Sequence, residues 1–177
     1  EVLREPLLAK AYPGMQVALG ASELVARAHE ALALWAKRGI QVVTIFDPIY
    51  PEALKQIYEA PLMLFYRGVW PKSWETALAI VGSRACDMQG FQIAGEISGK
   101  LASAGSIIVS GLAMGIDGSA HAAALDSNLT GSTVAVLGNG LGRVYPAQHE
   151  NLAARIIERG GAIISQFEPD VPPYPVN

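Results

Sequence analysis

Apolar residues follow two different rhythms along this chain. Between Ser22 and Arg38, Leu24, Ala28, Ala31, Leu32 and Trp35 fall near one stripe at helical spacing, which predicts an amphipathic helix. Ser22 stands where its N-cap is expected and Gly39 where it should end. Ile40 to Phe46 is β-branched and mostly apolar, which predicts a buried strand. Pro48 and Pro51 punctuate it, a short helix is predicted over Pro51 to Tyr58, and Pro61 stops that helix. Leu62 to Tyr66 predicts a second short strand, and Gly68, Pro71 and Ser73 mark a connector.

From Ala77 onward the rhythm alternates. Ala77 to Val81, Ser106 to Val109, Thr133 to Leu137 and Ala162 to Ser165 are short apolar runs. Helical stretches separate them, over Met88 to Ala104, Asp117 to Asp126 and Gln148 to Arg159. Strands joined by helical crossovers imply a parallel sheet with helices on its faces. The fold expected is α/β, a Rossmann-like three-layer α/β/α arrangement with a mostly parallel sheet. Residues 1–75 are expected to form a helix and strand extension packing on a core over 76–177. In such folds ligands sit beyond the carboxyl ends of the strands, so the informative loops are those after Val81, Val109 and Leu137.

Composition narrows the class. At 177 residues and 51% hydrophobic, the chain can bury one sizeable core. Glu96 and Lys100, or Arg155 and Glu158, interrupt the helical stretches well short of the roughly 20 apolar residues of a membrane span. Glu1 to Ala11 has no secretory pattern, and Cys86 is the one cysteine; both point to a reducing cytoplasm. The net charge is −3, and from Thr76 onward five basic residues face eight acidic ones. That balance is unusual for a nucleic-acid binder, yet backbone N–H groups at helix N-termini supply positive potential without Lys or Arg.

The first loop is Gly82-Ser83-Arg84. Gly82 permits close backbone approach, Ser83 offers a hydroxyl, and Arg84 a guanidinium fork matched to phosphate oxygens. The second runs from Ser110 and Gly111 to Gly115, Ile116 and Asp117, with N–H groups expected to face an anion and Asp117 expected to cap the helix. His121 follows Asp117 by one turn; a capping carboxylate with a hydrogen-bonded interior histidine is the reading, in preference to an acid–base pair. The third, Gly138-Asn139-Gly140-Leu141-Gly142, has G-x-G-x-G spacing and runs into Arg143-Val144-Tyr145-Pro146 instead of a helix, so it does not fit a nicotinamide fingerprint. Asn139, Arg143 and Tyr145 add amide, cation and aromatic near Arg84, the mixture single-stranded nucleic acid uses; Tyr145 alternatively packs beside Pro146. Gly95 and Gly99 read as a helix lying close on the sheet. His29, His121 and His149 have no metal-ligand spacing, so neither metal nor cofactor is expected.

In order and wording these segments resemble the DprA/Smf family (DNA-processing protein A). The segments are Ala79 to Arg84, Val109 to Asp117 with Ala120-His121, Thr133 to Gly138, Tyr145-Pro146, and Gly161 to Ser165. Tyr50-Pro51 through Leu54, Ala60-Pro61 and Phe65 to Gly68 resemble the family's preceding segment. The resemblance implies cytoplasmic binding of single-stranded DNA and loading of the RecA recombinase in natural transformation, by a homodimer and without catalysis. It implies that Gly82, Ser83 and Arg84 form a first phosphate-contacting loop and Ser110, Gly111, Gly115 and Asp117 a second. It also implies further sequence after Asn177. Gly142, His149 and Gln166 depart from the Asp, Asn and Glu common at these places. The alternative is a nucleoside monophosphate phosphoribohydrolase of the lysine-decarboxylase-like type, or a nucleotide-binding module. Against the hydrolase, the stretch Leu137 to Arg143 holds no glutamate to assist glycosidic cleavage.

Overall fold

The computed structural model describes residues 21–173. The chain divides into two compact units, Glu1–Arg38 and Gly39–Asn177. In the first, helix α1 spans Ala21–Lys37, with Glu23 in its first turn and Lys37 in its last, each favourable to the helix dipole. Ser22 therefore lies inside the helix and is not its N-cap. The start of the helix was misplaced because Ala21 extends it as readily as any residue.

The second unit is built on one six-stranded sheet in the order β1-β2-β6-β5-β4-β3. Its strands are β1 (Gln41–Thr44), β2 (Met63–Gly68), β3 (Ala77–Ala79), β4 (Ile107–Ser110), β5 (Thr133–Val136) and β6 (Ala162–Ser165). The pairs β3–β4, β4–β5 and β5–β6 are parallel, as the alternation predicts. β2 runs antiparallel to both β6 and β1. Residues 41–68 thus extend the same sheet, with Phe65 opposite Ser165 and Val43 opposite Leu64.

Between the parallel strands run α3 (Met88–Ser103), α4 (Ile116–Leu125) and α5 (Glu150–Glu158), with a short α2 (Glu52–Lys55) between β1 and β2. Right-handed crossovers between successive neighbouring strands place α3, α4 and α5 on one face. There Ile108 packs with Ala102 of α3 and Ala120 and Ala124 of α4, all fully buried. The opposite face gathers Val43, Leu64, Tyr66, Val134, Ala162 and Ile164, covered by Tyr50, Leu54 of α2, Trp70 and Trp74. Tyr66, Trp70 and Trp74 meet edge to face, with centroids 4.9 and 5.5 Å apart. The period-2 alternation of β4 makes this division: Ile108 points to the helices, while Ile107 and Val109 point away.

Gly95 and Gly99 do bring α3 close to a neighbour, but the neighbour is α4 and not the sheet. A Cβ at Gly95 would lie 3.1 Å from Ser119 Oγ, and one at Gly99 3.5 Å from the Ala123 oxygen. Ser119 uses the approach to donate to the Phe91 carbonyl at 2.6 Å. The two helices on which the crevice loops begin and end are therefore tightly joined.

Candidate functional site

Three loops leave the carboxyl ends of β3, β4 and β5 and meet. After β3, Ser83 Oγ accepts from the Ala85 amide at 3.1 Å, and Asp87 caps α3 by accepting from Gly90 N at 2.7 Å. Ser83 and Arg84 are exposed. Among the described residues the Arg84 guanidinium has no hydrogen-bond or ion-pair partner.

The second loop is clasped to the first. Ser110, 2% exposed, donates its hydroxyl to Ile80 O at 2.6 Å, and the Ile116 amide donates to Ser83 O at 3.2 Å. Gly115 has φ +78°, and a Cβ there would overlap the Ser83 carbonyl oxygen, so only glycine lets the loops touch. Helix α4 begins at Ile116 with Gly115 as its N-cap residue. Asp117 is thus two positions past the N-cap, too deep to cap, which corrects the sequence expectation. Its carboxylate, 5% exposed, turns back instead. Oδ2 accepts from Gly111 N at 3.1 Å and Ala113 N at 3.4 Å, and Oδ1 from Gly82 N at 3.4 Å. The amides of Gly82 and Gly111 that the sequence offered to an anion are engaged by this side chain.

The third loop folds inward before it emerges. Asn139, 2% exposed, donates its amide to Gly140 O at 2.8 Å and Arg143 O at 3.0 Å. Its own carbonyl accepts from Ser165 Oγ at 2.7 Å. Asn139 is a brace for the turn, with no free amide proton aimed outward. Gly140 N and Gly142 N donate to Val171 O and Pro169 O at 2.9 and 2.6 Å. The chain then turns through a cis Tyr145–Pro146 bond, leaving Tyr145 52% exposed. At the foot of α5, His149 Nδ1 donates to Leu112 O at 2.8 Å and its ring lies against Gly118.

Together the loops enclose a cup of about 160 Å3 lined by Arg84, Gly111, Met114, Gly138, Asn139 and Tyr145 among others. Arg84, Asn139 and Tyr145 are brought together as expected; Arg143 is exposed but does not line the cup. Larger hollows of about 460 Å3 and 610 Å3 lie beside Gly105 and Gly160 and beside Trp70 and Trp74, away from these loops. Met114, 43% exposed, and His149 escaped the sequence reading of the site. Met114 had no motif chemistry to mark it, and His149 stood out only as a histidine without metal-ligand spacing and a departure from the family's usual residue.

His121 is fully buried and its Nδ1 lies 2.7 Å from Thr133 Oγ1. Thr133 donates its hydroxyl proton to Ile108 O at 2.7 Å, so it accepts from His121 Nδ1–H. Burial holds the imidazole pKa down to about 4; the Ser110 main chain opposes this and His149 adds to it. Asp117 and His121 share a helix but not a hydrogen bond, so they form no acid–base pair. Among the described residues no cluster of three or more metal-ligating side chains occurs, and no helix is long and apolar enough to cross a membrane.

Known proteins are similar to this chain in sequence and fold. The chain is 44% identical over 128 residues to Protein Smf of Escherichia coli, which covers 72% of this chain and 34% of that one. It is 39% identical over 130 residues to DNA processing protein DprA of Streptococcus pneumoniae, covering 73% and 45%. The X-ray structure of the Streptococcus pneumoniae protein superposes with a TM-score of 0.67 at 35% identity, over 81% of this chain and 50% of that one. DNA processing protein A from Helicobacter pylori, whose structure was described for its single-stranded DNA binding mode, superposes with a TM-score of 0.64 at 28% identity, over 76% and 60%. The chain thus spans about a third to a half of these curated relatives. The family model for DNA recombination-mediator protein A matches residues 41–177, and the chain belongs to that family.

Proposed function

We propose that this chain binds single-stranded DNA across the carboxyl ends of its parallel strands, as the DNA-handling part of a protein that loads the RecA recombinase. The observation that carries the reading is the exposed Arg84 guanidinium, unpaired among the described residues, at the mouth of a shallow cup whose other wall is the half-exposed Tyr145. A cation with a planar fork suits a backbone phosphate, and an exposed phenol ring suits a stacked base. A cup of about 160 Å3 is smaller than the roughly 300–1,000 Å3 that enclose small-molecule ligands. It suits a polymer lying across it better than a nucleotide held inside.

Ser83, Arg84, Arg143 and Tyr145 are the contact residues in this reading. Gly82, Ser110, Gly111, Gly115, Asp117 and Asn139 shape the loops that carry them. DNA handling is assigned to residues 76–177, because all three loops arise there, with residues 39–75 extending the sheet. The cup is lined by a cation, an amide, a thioether and an aromatic ring, with no carboxylate among the lining residues, which favours a binder over a glycoside hydrolase. RecA, the homodimer and the cytoplasm are parts of this reading that only the family resemblance supports. Fluorescence anisotropy with a poly-thymidine oligonucleotide, single-stranded against duplex, tests the reading. Saturable preference for the single strand supports it, and release of free base from AMP replaces it with the hydrolase.

A further inference from the structure

We propose that Asp117 is the resident anion of this crevice and determines what it can bind. In Rossmann-like folds the carboxyl end of a strand and the N-terminus of the next helix present backbone N–H groups that hold a nucleotide's phosphates. This chain builds such a nest and fills it itself. The nest draws on two loops: Gly82 N follows β3, and Gly111 N and Ala113 N follow β4. All three point at one buried carboxylate.

The surroundings are shaped to that carboxylate. A Cβ on Gly111 would lie 2.8 Å from Asp117 Oδ2, and one on Gly82 would lie 2.7 Å from Ile116 Cγ1, so both glycines are needed for the approach. Among the described residues no cation is a partner of the carboxylate, and the groups that meet it are main-chain N–H dipoles. A nucleoside diphosphate would have to displace a side chain covalently fixed at the second residue of α4. A phosphate arriving from outside therefore does not reach these three amides and meets the rim, where Ser83 and Arg84 are exposed. The nest excludes nucleotides, and the crevice is left to ligands that offer one phosphate at a time along its edge. The filled nest does not depend on the DNA reading; the preference for a strand rests on it.

Removing the carboxylate should leave a nest that accepts an anion from solution. Asp117→Ala is expected to melt lower than the unaltered chain. Sodium formate should then raise its melting temperature saturably, by about 3 °C at ten times the half-saturating concentration, with sodium chloride at equal ionic strength as control. The unaltered protein and an equally destabilised His121→Gln should show no formate-specific rise. If Asp117→Ala does not fold in chloride, refolding from urea with formate against chloride is the readout, and recovery only in formate supports the proposal. Equal responses to the two salts, or no folding in either, overturn it. So does saturable binding of ADP to the unaltered protein in calorimetry. Oligonucleotide binding by Asp117→Ala in formate is a separate arm. If formate restores the fold but no oligonucleotide binds to any form, the DNA reading fails and the filled nest stands.

Discussion

His149 Nδ1 donates to the carbonyl oxygen of Leu112 at 2.8 Å, and Leu112 is a fully buried leucine held at φ +59°. A branched residue in the left-handed region is strained by about 1 kcal/mol or more, and it persists only where its neighbours fix it. Here the foot of α5 fixes the loop after β4, which in turn meets Ser83 and Arg84 through Gly115 and Ile116. His149→Ala should therefore lower stability by about 1–2 kcal/mol, since it strands a partly buried acceptor. His149→Asn, which keeps a donor, should lose less. Urea unfolding of the two variants checks the order, and equal losses would show that the hydrogen bond contributes nothing.

Gly118 lies beneath the same imidazole, and a Cβ there would stand 2.7 Å from His149 Cε1 and 3.0 Å from Nε2. Gly to Ala inside a helix ordinarily stabilises by up to about 1 kcal/mol. Gly118→Ala should instead destabilise, because the ring must leave its place. In a His149→Ala background the same change should turn stabilising. A double-mutant cycle reads the change of sign, and additive effects would mean that the ring and the helix do not press on each other.

The neutral imidazole of His121 carries a pH dependence. Its pKa is lowered from 6.5 to about 4 in the folded protein, so between those values the unfolded chain binds more protons. Its contribution to stability is fully present above about pH 6.5 and is lost as pH falls towards 4, by up to about 3 kcal/mol. His121→Gln should be less stable at pH 7 by about 0.5–3 kcal/mol and should lose less on acidification to pH 4.5. Parallel pH profiles for the two proteins would place the acid sensitivity elsewhere.

Arg84→Ala should weaken binding to poly-thymidine by about 1.5–3 kcal/mol, roughly 10- to 150-fold, and to the same extent for any base sequence. The melting temperature should stay unchanged, because the side chain is exposed and unpaired among the described residues. Lysine should restore part of the affinity, keeping the charge but not the fork. Unaltered affinity in a folded variant would move the contact towards Arg143.

The alternation of β-branched runs with helices from Ala77 onward was legible, because period and length together separate strand from helix. The meeting of Arg84 with Tyr145 was legible too, since both follow parallel strands and a parallel sheet delivers its loops to one end. The destination of the Asp117 carboxylate was not. A shift of two positions, from Gly115 to Asp117, decides whether an aspartate caps its own helix or reaches elsewhere, and its partner Gly82 is 35 positions away. Asn139 misled for a similar reason: a polar residue among glycines reads as exposed, and it is buried only because residues 165–171 return over the turn.

The Asp117 tie and the His149 latch also bear on how fast and how rigidly a ligand is met. The loops are fastened to one another by the protein's own groups, so the order of the rim is established during folding and not on encounter. Little backbone freedom is left to lose on association, and the free and occupied rims should superpose within about 1 Å. Encounter should then be governed by diffusion and by salt, without a slow rearrangement between touching and holding.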